Sequence, residues 1–87
     1  MVTLIDFYAD WCGPCHVMKP ILDKVIPTYS GKLTFEKIDV DKDQSRAQQF
    51  GVMSIPTLVM LKNGQEVDRK IGLVAEGVLK EWIDSKI

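Results

Sequence analysis

Several things are scarce in this sequence, and each scarcity removes a class of function. No apolar run comes near the roughly 20 residues that cross a bilayer as a helix. Neither sign of charge dominates: 11 Lys and Arg stand against 12 Asp and Glu, a net charge of −1 with the signs interleaved. A nucleic-acid or anionic-membrane surface needs a basic footprint, so neither partner is expected. Cysteine is limited to Cys12 and Cys15, and histidine to His16. Two cysteines cannot form a structural disulfide framework, which leaves redox or metal chemistry. Zinc asks for about four ligands. Cys12, Cys15 and His16 offer three at most, and a histidine directly after Cys15 need not converge with both sulfurs. No metal and no cofactor are therefore expected. No repeat, linker or low-complexity tract interrupts the 87 residues. They read as one domain, 1–87, with a single core of marginal size. Met1 leads straight into a strand without a signal-peptide pattern, and this reading places the protein in the cytoplasm.

What is present centres on Trp11-Cys12-Gly13-Pro14-Cys15. The pentapeptide follows an apolar run, Val2 to Tyr8, and precedes a segment of helical periodicity. Two thiols at this spacing, at a helix start, can close a small disulfide ring and reopen it. The free amides and dipole of a helix N-terminus favour negative charge. A thiolate at Cys12 is therefore stabilised, and the thiolate is the form that attacks a disulfide. Thiol–disulfide exchange is the expected chemistry.

The rest of the chain surrounds this turn with an α/β pattern. Val2–Tyr8 reads as a strand buried on both faces, in mid-sheet. Asp6 is its odd residue: either a strand-end turn residue or a costly buried carboxylate. Asp10 is placed to cap the helix that follows. Val17, Met18, Ile21, Leu22, Val25 and Ile26 recur at helical spacing and are read as core. Pro20 should kink this helix and Pro27 should mark its end. Residues 29–32 read as a turn and 33–40 as a second strand. Asp41 with Gln44 resembles a capping pair for a short helix that Gly51 stops. Thr57–Leu61 is a strand, Asn63-Gly64 a hairpin turn, and Glu66–Ile71 the returning strand. Val74, Ala75, Val78, Leu79, Trp82 and Ile83 then mark an amphipathic helix, with Trp82 as packing.

Asp6-Phe7-Tyr8-Ala9-Asp10-Trp11-Cys12-Gly13-Pro14-Cys15, with Pro20, Ile55-Pro56-Thr57 and Lys62-Asn63-Gly64, resembles the thioredoxin family. The match runs in order from Val2 to the C-terminus. The resemblance implies a thioredoxin-like fold in minimal form: a four-stranded mixed sheet, order 2-1-3-4, flanked by three helices. It implies a protein-disulfide reductase working through a reversible Cys12–Cys15 disulfide. Cys12 would attack the target, and Cys15, more buried, would resolve the mixed disulfide. Asp6 would be buried beneath Cys15 and take its proton, with Lys37 close enough to modulate it. Pro56 would be cis and face the cysteines. Trp11, Gly13, Pro14, Ile55, Pro56 and Gly72 would form the flat surface that receives the target chain. The implied partners are disulfide-containing proteins and a thioredoxin reductase, NADPH- or ferredoxin-linked.

Departures from the family pattern carry their own expectations. The strand and helix that usually precede the Val2 strand are missing, so strand 33–40 becomes a sheet edge, with Glu36 as a charge that resists association; the alternatives are that this edge is a contact between two copies or that the sequence is a piece of a longer chain. Tyr8 stands where tryptophan is usual. Met53 and Ser54 precede the proline in place of other small or polar residues. Ala75 replaces a common helix-capping hydroxyl. His16 replaces a frequent lysine and reads as an exposed helix residue or as a perturber of the cysteine pair. Competing functions are a disulfide isomerase or oxidase, and a non-enzymatic binding module on the same fold. Pro14 argues against the former, whose members tend to carry histidine between the cysteines.

Overall fold

A computed structural model describes Met1–Ile87 in full. Strand β1, Val2–Tyr8, is the centre of the sheet. Leu4, Ile5 and Phe7 have no exposure, so both faces of β1 are covered, as its largely apolar sequence requires. On one side β1 pairs in parallel with β2, Leu33–Asp39. On the other it pairs antiparallel with β3, Thr57–Lys62, which pairs antiparallel with β4, Gln65–Ile71. The order is β2-β1-β3-β4, a mixed sheet with β2 and β4 at its edges. The β3–β4 connection is Asn63-Gly64, both with positive φ (54° and 82°), the backbone a two-residue primed turn demands.

Three α-helices flank the sheet: α1 Gly13–Val25, α2 Gln44–Gln49 and α3 Glu76–Asp84. Pro20 lies inside α1, where its missing N–H removes one rung of the ladder. After Val25 the chain tightens into a 3₁₀ turn, Ile26–Tyr29, that carries Pro27 near its start. Tyr29 thus ends this 3₁₀ segment instead of opening the turn expected at 29–32. It is buried, and its hydroxyl donates to Asp84 Oδ1 at 2.7 Å, tying the end of α3 to the 3₁₀ turn. Thirteen buried residues, among them Leu4, Met18, Leu22, Leu58, Leu79 and Ile83, fill the space between the sheet and α1 with α3.

Some details depart from the sequence reading. Val17 and Val78 sit at core spacing but are about half exposed (52% and 48%), because each lies on the flank of its helix stripe. The cap of α2 is Asp43, which accepts the Arg46 amide at 3.1 Å, and not Asp41. Ala75 does stand at the start of α3 without any side-chain cap. Glu36, on the edge strand, is held by the Arg46 guanidinium at 3.0 and 3.4 Å.

Candidate active site

The site begins with a capping contact made by sulfur. Cys12 takes extended backbone angles (φ −86°, ψ 109°) at the N-cap of α1, and its Sγ accepts the Cys15 amide at 3.2 Å. Asp10, expected as the cap, does not make that contact; its carbonyl instead lies 2.6 Å from His16 Nε2. The first turn of α1 carries no acidic side chain. Positive potential from its amides therefore falls undiluted on Cys12. Pro14 costs nothing here, since an amide in the first turn has no intrahelical partner to lose. Cys12 and Cys15 are joined as a disulfide, their Cα atoms 5.2 Å apart. Both are buried, and Cys15 is the less buried of the two (8% against 3%), contrary to expectation. Capping turns Cys12 Sγ inward over the helix end.

Asp6 lies on β1 with only 4% exposure. Its Oδ1 has no hydrogen-bond partner. Burial drives its pKa up from 3.8 to about 6, against the opposing charge of Lys37 on the paired strand. It shares a cavity of about 210 Å³ with Tyr8, Ala9, Asp10, Cys15, His16, Lys19 and Lys37. Asp6 and Cys15 thus line one partly open cavity, with His16, Lys19 and Lys37 at its wall. Lys37 makes no ion pair with Asp6; its ammonium stands 4.7 Å from the centroid of the Tyr8 ring. His16 is exposed on α1.

The opposite flank is apolar. Trp11 is 70% exposed, and its indole N–H donates to Asp41 Oδ2 at 2.7 Å. Asp41 therefore anchors the site's aromatic residue, a role that local sequence did not suggest. Trp11, Val40, Ala47, Val52, Met53, Ser54 and Ile55 line a shallow groove of about 380 Å³. Met53, 95% exposed, stands at its rim. The Ile55–Pro56 bond is cis. Gly72, at φ 92° where a side chain would be strained, donates its amide to the Pro56 carbonyl at 2.8 Å. Gly13 is exposed at the first position of α1. The fold nowhere gathers three or more His, Cys, Asp or Glu side chains as a metal would need.

Comparison with known proteins agrees with this geometry. The family model described as thioredoxin matches residues 1–85. The chain belongs to the thioredoxin family. Thioredoxins of Haemophilus influenzae and Staphylococcus aureus are 44% and 43% identical to it, over 97% and 99% of this chain and 78% and 83% of theirs. A thioredoxin of Rickettsia conorii is 39% identical over 98% of the chain and 81% of its own. A mutant thioredoxin from Halobacterium salinarum superposes with a TM-score of 0.86 at 42% identity, covering 97% of this chain and 73% of that one. Thioredoxin family membership and the Cys12–Cys15 disulfide make the chain a dithiol–disulfide oxidoreductase, a protein-disulfide reductase. Its partners as a family member are proteins with disulfides and a reductase that recharges it.

Proposed function

We propose that Cys12 is the attacking sulfur and Cys15 the resolving one. The Cys12 thiolate attacks one sulfur of a target disulfide, and the other target sulfur leaves as thiolate and takes a proton. Asp6, as carboxylate, removes the proton of Cys15. The Cys15 thiolate then attacks Cys12 Sγ, closes the internal disulfide and expels the second target sulfur. Two electrons pass from the dithiol to the target. The observation that carries this assignment is the Cys15 amide aimed at Cys12 Sγ from 3.2 Å, a donor that would hold a thiolate there. Asp6, with a pKa near 6, is matched to accept and release a proton around neutral pH. Lys37 modulates it through charge.

Trp11, Gly13, Pro14, Ile55, Pro56 and Gly72 form the receiving surface for an extended target segment. Rigid Gly13-Pro14 between the cysteines adds little to the reduced state beyond the helix end, which favours the oxidised pair and makes the dithiol reducing. Residues 1–87 act as one thioredoxin-like domain in the cytoplasm, recharged by an NADPH- or ferredoxin-linked reductase.

Equilibration of the Cys12–Cys15 pair against dithiothreitol or glutathione tests the direction. The expected potential lies nearer about −270 mV, the reference for thioredoxin, than about −180 mV, that of protein disulfide isomerase. A value at or above the latter would move the function to an isomerase or oxidase. Cys12→Ser should abolish attack, whereas Cys15→Ser should accumulate the mixed disulfide. Full partner binding by the Cys12→Ser/Cys15→Ser double variant would favour a binding module instead.

A further inference from the structure

β1 and β2 run parallel with Asp6 opposite Lys37. Residues so paired carry their side chains on one face of the sheet. A buried carboxylate with an ammonium beside it ordinarily closes into an ion pair. Here it does not: Asp6 Oδ1 has no partner, and Asp6 takes part in none of the fold's ion pairs. The Lys37 ammonium stands over the Tyr8 ring instead, 4.7 Å from the centroid. Tyr8 lies two residues beyond Asp6 on the same face of β1, and all three line the same cavity.

We propose that Tyr8 is a positioning residue: its ring face holds the Lys37 ammonium near the Asp6 carboxylate but out of contact, so that Asp6 keeps the proton affinity that Cys15 requires. The last clause rests on the reading of Asp6 as proton acceptor. An ammonium is drawn to the negative face of an aromatic ring and can keep much of its water there. Contact with Asp6 would strip that water inside a mostly closed cavity. The ring therefore offers Lys37 a competing seat. Without it the exposed lysine is free to turn onto the carboxylate, and an opposite charge in contact lowers a carboxyl pKa by about 1–3 units.

One further charge acts on Lys37: the Asp23 carboxylate of α1, which Lys19 and, less strongly, the Lys37 ammonium hold below the usual carboxylate range. Facing Asp6 from α1 are Cys15, His16 and Lys19, and from the preceding loop Asp10. Lys19 is tied to Asp23 at 2.8 Å, and His16 Nε2 to the Asp10 carbonyl. On the β3 side the neighbour is Leu58, and Lys70 beyond it stands over the Trp82 ring.

The test is the carboxyl ¹³C titration of Asp6 by NMR in the oxidised protein, where the cysteines do not titrate. Tyr8→Leu should lower the Asp6 midpoint by about one pH unit. Tyr8→Phe and Tyr8→Trp, which keep a ring, should leave it in place. In a Lys37→Met background Tyr8→Leu should no longer lower it. Tyr8 is half-buried, so Tyr8→Met serves as the ring-free variant if Tyr8→Leu does not fold. A midpoint that stays or rises without the ring, or a fall that persists in Lys37→Met, overturns the proposal. The pH profile for release of a mixed disulfide from Cys12 should move down with the midpoint. A midpoint that falls while that profile stays would uphold the placement of Lys37 by Tyr8 and overturn the role of Asp6.

Discussion

The two faces of the sheet are built to different depths. Under α1 and α3, thirteen buried residues form one cluster. Under α2, a helix of six residues, four do so: Ile5, Phe7, Ile38 and Val59. Successive β1 residues alternate between faces, so Val2, Leu4, Asp6 and Tyr8 belong to the deep one. The same face therefore carries the largest apolar contribution to stability and the buried carboxylate that opposes it. A domain of this size has little stability to spare. A costly group is tolerated where packed neighbours hold it in place.

Several substitutions would break or sharpen that contrast. The largest effect should come from Leu4→Ala, with no exposure and helices on its face that cannot collapse into the void. It should cost toward the upper part of about 2–5 kcal/mol in denaturant unfolding, and Ile38→Ala on the shallow face toward the lower part. Equal costs would mean that the two faces are equivalent.

Next is Asp6→Asn, measured on the oxidised form. Asp6 is raised to about 6 in the fold against 3.8 outside it. Below about pH 4 both states hold the proton and the residue contributes no pH dependence. Between about 4 and 6 the unfolded chain releases it first, so wild-type stability falls as pH rises, and above that window the loss is constant. Some 2 pH units correspond to about 3 kcal/mol. The stability difference between Asp6→Asn and wild type should therefore shift by about that amount in the variant's favour from pH 4 to pH 7. A flat difference would mean that the carboxylate is not held at a cost.

Two smaller effects concern the periphery. Ala75→Ser should supply the missing cap of α3 and add about 1 kcal/mol on the deep side, read as a raised midpoint of thermal unfolding. Glu36→Gln should cost under about 1 kcal/mol on the shallow side, because its pair with Arg46 is partly solvated. A larger loss would show α2 to depend on that pair.

Much of the fold was legible because its signals are local. Val2–Tyr8 is apolar but for Thr3 and Asp6, and only a central strand buries both faces. Asn63-Gly64 announces its turn through two positive φ angles. The flanks of helices were read less well: Val17 and Val78 share the spacing of core residues, and only the placement of the sheet decides where the stripe ends. Caps were misread for a related reason. Asp10, Asp41 and Asp43 are all suitable acceptors by type, but geometry gave the roles to Cys12 Sγ and to Asp43, and left Asp41 for Trp11. The motif Trp11–Cys15 and the separate Ile55-Pro56 were visible as candidate site residues, although nothing local says that one should face the other.

By itself the sequence determined which chemistry is available: two thiols three positions apart at a strand-to-helix turn, with a carboxylate inside the preceding strand. Backbone propensity and spacing along one segment suffice for that. Tertiary structure alone decided how those groups are tuned. The pKa of Asp6 near 6, the seat of Lys37 on Tyr8 and the tether of Trp11 to Asp41 each depend on burial or on contact between separate elements. Desolvation and charge interactions act through space, and distance through space is set only when the strands have paired and the helices have closed over them.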